Sequence, residues 1–268
     1  MVVSALFLAT AVLYGISSCL YLVHLARGTE GLERPTNASL GAAVVLHVAF
    51  LIADYQLAGH SPTADIHSTL TLLSLGTVIG FLLMVIRYPI TVLGAFITPV
   101  TLIFFLGSSL GRSVAPVPQE VRSALLPFHI GVNILGLVAF AIAFGASVAY
   151  VLQDHLLRTK RLGGVFHRLP ALDVLDSVAF RSVIAGFPLF TIGVVTGALV
   201  AVRLHPHVPV LTAAQGIALL TWLVFAWVLV MRVVAGFQGR RAAYGTITGF
   251  LCAVAVLVAY IVRAGGGS

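Results

Sequence analysis

Eight apolar runs, each about the length of a membrane crossing, constrain this chain more than any other feature. They lie at residues 3–25, 38–57, 67–87, 90–110, 127–153, 183–204, 211–234 and 244–263. A spanning helix needs about 20 apolar residues. Only 9% of the residues are charged and 60% are hydrophobic, whereas a soluble domain carries about a quarter charged. A water-soluble globule is therefore excluded. The expected fold is all-α, a bundle of eight transmembrane helices, with residues 1–268 forming one transmembrane domain. The first run has no charged leader region and no small-residue cleavage site, so it is expected to be a retained helix. The closing "AGGGS" carries no fold signal.

The gaps between runs set direction. One set holds Arg27, Arg34, Arg87, Arg158, Lys160, Arg161, Arg168, Arg181, Arg232, Arg240 and Arg241; the other holds Arg112, Arg122, Arg203 and Arg263. The split alternates with the runs, as the positive-inside rule requires. Both termini are expected outside (N-out, C-out), with the gap at 154–182 cytoplasmic, in a bacterial-type inner membrane. The net charge of +7 is a topology signal on a chain surrounded by lipid, and nucleic acid is not an expected partner. His60, His67, His129, His205 and His207 then gather at the outer face. His155 and His167 fall on the inner face, His24 near it, and His47 deep in the second run.

Two cysteines, Cys19 and Cys252, lie far apart inside apolar runs. With no CxxC and no CxxCH there is neither a redox dithiol nor a covalent haem-attachment motif. No phosphate-binding glycine loop, HExxH or nucleophile triad is present. Pro99 and Pro188 fall within runs, but no internal repeat accompanies them, as the interrupted helices of a transporter would require.

The histidines carry the candidate chemistry. An ionisable group at mid-membrane is costly unless paired, and marks function by default. His47, in "VVLHVAFLIADYQ", is such a group, with Asp54 two turns on and on the same face. It reads either as an axial ligand to haem iron, which imidazole suits, or as a side chain bonded to a neighbouring helix. His129 opens the fifth run in "LPFHIGVNILG", with Asn133 one turn on and Gly131 and Gly136 leaving room for a flat ligand. It too reads as a ligand or as an interfacial residue. His205 and His207 flank a proline in "RLHPHVP", either as ligands presented by an extended turn or as parts of a solvated turn. His60 and His67 flank "SPTAD" with the same ambiguity. Gly193 and Gly197 form a small-xxx-small pair that admits a close neighbouring helix.

Taken together, the segments resemble the cytochrome c assembly family of CcsA-like membrane proteins. "LHVAFLIADYQLAGHSPTADIHSTLTLLSL" is similar to its early histidine-bearing helix and "GH-P" turn, and "VLGAFITPVTLIFFLGSSL" to the helix that follows. "LLPFHIGVNILGLVAFAIAFGASVAYVLQDHLLR" resembles its "LH" helix, and "LPALDVLDSVAFRSVIAGFPLFTIGVVTGALVA" its "LD…GFPLLTIGLLTGA" segment. "LLTWLVFAW" and "GRRAAYGTITGF" match its closing helices. The resemblance implies handling of haem at the outer face during cytochrome c maturation. His129 then corresponds to an external-face histidine and His47 to an intramembrane one.

Three departures bear on activity. The tryptophan-rich "WWD" loop expected after "TGALVA" is replaced by "VRLHPHVPV". The second outer histidine is expected near the end, where the chain reads "VRAGGGS". Val230 stands where a synthase carries an intramembrane histidine. The pattern resembles the short HemX-like branch. It implies a haem-binding protein that assists cytochrome c or haem biogenesis, rather than a haem lyase acting alone. Haem b would be held non-covalently near the outer face, with His129 as one axial ligand and His205, His207 or His60 as the second. By helix rise His47 lies roughly 15 Å from the outer end of its run, and would serve a separate, deeper haem. "RLHPHVP" is either an outer ligand or a remnant turn, the latter being preferred. A haem-free scaffold docking a partner membrane protein through its glycine-rich faces is the alternative, and a small-solute transporter a third. Orientation is testable directly. In a chain carrying Cys19→Ala and Cys252→Ala, an impermeant maleimide should reach Arg112→Cys in intact cells and Lys160→Cys only in inverted vesicles; labelling of both from one side would contradict the assigned topology.

Overall fold

The computed structural model describes residues 1–28, 31–58, 66–88, 90–110, 125–204 and 213–265. The helices are α1 (Val2–Arg27), α2 (Glu33–Ala58), α3 (Ile66–Arg87), α4 (Gly94–Gly107), α5 (Leu125–Arg158), the short α6 (Gly164–Arg168), α7 (Leu172–Leu204), α8 (Ala213–Val234) and α9 (Arg240–Gly265). Single 3₁₀ turns at Thr91–Leu93 and Ser108–Leu110 extend α4 at its two ends. Eight of these segments are long and apolar enough to cross a membrane, and no strand occurs among the described residues. The chain is an all-α polytopic membrane protein.

α5 is the axis of the bundle. Two thirds of its spanning window (67%) is buried by protein, more than in any other span among the described residues. It packs most extensively on α7 and also touches α3, α4 and α9. On one side Ile142, Ala146 and Ala149 join a core with Tyr14, Tyr21, Phe50, Phe81 and Phe105. On the other, Leu137, Phe140 and Ala143 join Phe190, Phe225 and Phe250, and the rings of Phe140 and Phe225 stack at 3.8 Å. Lipid tails are as apolar as these side chains, so no hydrophobic gain drives helices together within the bilayer; close packing does. The α5–α7 contact is closest at Gly136 and Gly186. A Cβ on Gly136 would stand 3.1 Å from the Phe190 backbone nitrogen, and one on Gly186 would stand 2.9 Å from the Gly136 carbonyl oxygen.

Most buried hydroxyls satisfy themselves within their own helix. Thr71, Thr77, Thr98, Thr221 and Thr246 each donate to the carbonyl four residues back. Such back-bonding removes an unpaired donor from hydrocarbon without constraining a neighbour. The polar ties between helices are consequently sparse and specific.

The segment expected to be an extended cytoplasmic gap at 154–182 is largely helical, which corrects the sequence reading. α5 runs on to Arg158, α6 follows, and α7 begins at Leu172 rather than at 183. Charges interrupt the hydropathy there, but the helical pattern continues. Leu175, Val178, Ala179 and Ser182 are buried at helical spacing, and Asp154 pairs with Arg158 one turn on at 2.8 Å. With 34 residues α5 is about 51 Å long, well beyond a hydrocarbon core of about 30 Å. α6 closes the basic end of α1: the Arg168 guanidinium donates to the Leu25 carbonyl at 2.9 Å and lies against Gly28, whose positive φ of 59° terminates α1.

Asp176 of α7 meets Arg232 of α8 through two parallel hydrogen bonds, one of 2.9 Å from Nη1 to Oδ1 and a second from Nη2 to Oδ2. The Gly239 backbone N–H also donates to Asp176, at 3.2 Å, and the guanidinium lies 4.0 Å from the Phe180 ring centroid. Both side chains are largely buried, at 10% and 17% exposure. Removing one partner of such a pair leaves an uncompensated charge and costs about 3–5 kcal/mol. Asp176→Ala should therefore lower the thermal unfolding midpoint in detergent markedly. Asp154→Ala, whose partner Arg158 is solvated, should change it little; equal shifts would contradict the ranking.

Candidate functional site

Three of the histidines singled out by the sequence are described, and each sits against a different helix. His60, His205 and His207 lie outside the described residues.

His129 stands near the start of α5. Pro127 two residues earlier suits this position, since N–H groups in a helical first turn have no intrahelical partner. Facing it on α7 are Gly193 and Gly197, one turn apart. The Asn133 amide fills the hollow at Gly193, and the His129 ring fills that at Gly197, where an added Cβ would stand 2.8 Å from Cε1. The imidazole Nδ1 lies 3.0 Å from Thr196 Oγ1. Asn133 Nδ2 donates to the His129 carbonyl at 2.7 Å and stands 3.2 and 3.5 Å from the two ring nitrogens. One turn deeper, Trp222 Nε1 donates to Thr191 Oγ1 at 3.0 Å and joins α8 to this wall. The glycine pair expected to admit a close helix does so, and the helix it admits is the one bearing His129.

His47 is fully buried in the middle of α2. Its Nδ1 is 2.8 Å from the Tyr14 hydroxyl of α1. Phe105 packs edge-on with ring centroids 4.7 Å apart, and Phe50 lies at 6.2 Å. Nε2 of His47 and Oγ1 of Thr10 find no hydrogen-bond partner among the described residues. A buried, unsatisfied polar atom calls for a specific explanation, such as a water or a ligand.

His67, at the start of α3, donates from Nδ1 to the Ser108 carbonyl at 2.6 Å. Its Nε2 faces the Asp54 carboxylate at 3.7 Å. Asp54 thus lies two turns from His47 on α2, as the sequence reading placed it, but it engages α3. Tyr14 and Ser108 were missed as partners. A tyrosine inside an apolar run reads as neutral, and a backbone carbonyl has no sequence signature. Thr196 was missed as well, although it directly precedes Gly197.

The donor sets differ in their fit to a porphyrin. At His129 a half-buried imidazole lies at the end of the bundle, against the glycine surface of α7. One ring nitrogen is taken by Thr196, and the arrangement fits a haem ligand. At His47 the orphaned Nε2 has the right chemistry, but Tyr14, Phe50 and Phe105 fill the space around the ring. No group of three or more His, Cys, Asp or Glu side chains converges as for a bare metal ion among the described residues. A readily checked consequence concerns Tyr14. Tyr14→Phe strips His47 of its interhelical hydrogen bond and should cost about 1–3 kcal/mol, seen as a lower unfolding midpoint. Tyr14→Phe with His47→Phe removes both polar groups and should recover part of that loss.

Comparison with known proteins places this architecture. Residues 63–266 match the family model for the cytochrome C assembly protein. "Cytochrome c biogenesis protein CcsA" of Synechococcus sp. (strain CC9605) is 27% identical over 248 residues, covering 83% of this chain and 81% of the relative. The protein of the same name from Prochlorococcus marinus (strain MIT 9515) is 30% identical over 236 residues, covering 79% and 74%. With three quarters of its length matched by the family model, and the match running from the start of α3 through α9, this chain belongs to the cytochrome c assembly protein family.

Proposed function

We propose that this protein acts in cytochrome c maturation as a haem-handling membrane subunit, holding haem b non-covalently at the end of the bundle where its N-terminus lies. The observation that carries this reading is His129, a half-buried imidazole lodged in a glycine hollow of α7 with Nδ1 beside the Thr196 hydroxyl. Family membership supports the maturation role. Eleven of the fifteen cationic side chains sit at the opposite end, which supports placing the His129 end outside (N-out, C-out) in a bacterial-type inner membrane.

When bound, haem would supply an iron centre that takes an imidazole nitrogen as a ligand. His129 offers the nitrogen, and Thr196 and Asn133 hold the ring. The glycine surface of α7 would leave room beside it. The second ligand is assigned to His205, His207 or His60. His47 is a candidate ligand at a separate, deeper position, and the surrounding rings would have to part before it could act. The sequence after "TGALVA" carries no tryptophan-rich loop, which supports a HemX-like assisting role alongside a partner membrane protein rather than ligation by this chain alone.

The test is the absorption spectrum of detergent-purified protein after haem supplementation, oxidised and reduced. Wild type should show a Soret band and a sharp reduced α band. His129→Ala should abolish or weaken both. A His205→Ala/His207→Ala double variant that weakens them assigns the second ligand to that segment, and an unchanged spectrum leaves it a turn. Absence of specific haem in the wild type would overturn the reading and favour a haem-free scaffold.

A further inference from the structure

The hydrogen bonds around His129 decide which of its nitrogens is free. Thr196 has one hydroxyl proton, and two carbonyls of its own helix compete for it: Ile192 O at 2.8 Å and Gly193 O at 3.1 Å. With the proton donated along its own helix, the Thr196 oxygen is an acceptor. Its other polar neighbour among the described residues is His129 Nδ1 at 3.0 Å, and in that arrangement Nδ1 carries the hydrogen.

Asn133 does not reverse this assignment. An amide aligned with the in-plane lone pair of Nδ1 would point away from the ring and stand much farther from Nε2 than from Nδ1. Instead Nδ2 is almost equidistant, at 3.2 and 3.5 Å. It therefore lies over the ring, where its contact is of the weaker N–H···π kind, while its in-line bond goes to the His129 carbonyl at 2.7 Å.

We propose that Thr196 is a positioning residue that fixes His129 as its Nδ1–H tautomer, so that Nε2 alone is offered as a donor nitrogen. The proposal rests on the haem-ligand reading of His129 for its functional meaning, but its structural content stands without haem. A histidine that ligates iron typically gives its other N–H to an oxygen acceptor, which sets ring orientation and raises ligand basicity. Here that acceptor is a hydroxyl whose own proton is held by the turn of α7 beneath it. Gly197 completes the device by leaving room for the ring.

The experiment uses full-length protein with ¹⁵N-labelled histidine in detergent. It is run first without haem at about pH 8, above the ordinary imidazole range, with His129→Gln identifying the signals. The expected result is a pyrrole-type Nδ1 and a pyridine-type Nε2 for His129. Thr196→Val, nearly the same shape, should give a mixture of tautomers, and Thr196→Ser should restore the wild-type pattern. A pyridine-type Nδ1 in wild type, or a Thr196→Val spectrum identical to it, overturns the proposal. Haem titration then follows, read by the Soret band and the reduction midpoint. Thr196→Val should bind about 10–100-fold more weakly with a midpoint shifted upward, and Thr196→Ser should recover both. Wild-type affinity and midpoint in Thr196→Val would also overturn it. Failure of the wild type to take haem would sink the haem reading, and would be distinguishable because the tautomer spectra are recorded without haem.

Discussion

Hydrocarbon offers no water to a stranded polar group, and the structure is organised around that constraint. Backbone groups are satisfied by running as helices, and most buried hydroxyls fold back onto their own helix. The polar groups too large for back-bonding are the histidines, tyrosines and the Asp176–Arg232 pair, and these must find partners on other helices. They do so one neighbour at a time: Tyr14 with His47, Tyr21 with Asn37, His67 with Ser108, His129 with Thr196. Each pair fixes a rotation and a depth that apolar packing alone would leave loosely specified.

The α5–α7 seam shows how the constraint shapes the site. Glycines let the two backbones touch at Gly136 and Gly186, and toward the N-terminal end of the bundle Gly193 and Gly197 open shallow hollows. Into them go an amide and an imidazole, each stabilised by backbone or hydroxyl oxygen. Tight packing and a specific polar site thus come from one run of small residues on α7. A larger residue at Gly197 would alter the ring's place without touching its hydrogen-bond partners.

The spans were legible because length and hydropathy suffice to recognise them, and the candidate ligands His47 and His129 stood out as ionisable residues within apolar runs. What hydropathy concealed was helix carrying charge. Residues 154–182 read as a gap because Asp154, Arg158, Asp173, Asp176 and Arg181 interrupt the apolar pattern, yet Leu175, Val178 and Ala179 keep helical spacing beneath those charges. Partners were also concealed. Asp54 shares a face with His47, but only the placement of α3 shows that it engages His67. Thr196 looked like any membrane threonine until its two carbonyls and one imidazole were located.

The Asp176–Arg232 pair has a consequence for how the protein is made. Arg232 is the last-turn cation of α8, and the backbone that steadies its partner, Gly239, precedes α9. During synthesis α7 emerges with a carboxylate whose counter-charge has not yet been translated. The last three spans are therefore joined at one end through a single carboxylate, held by Arg232 of α8 and by the backbone that leads into α9.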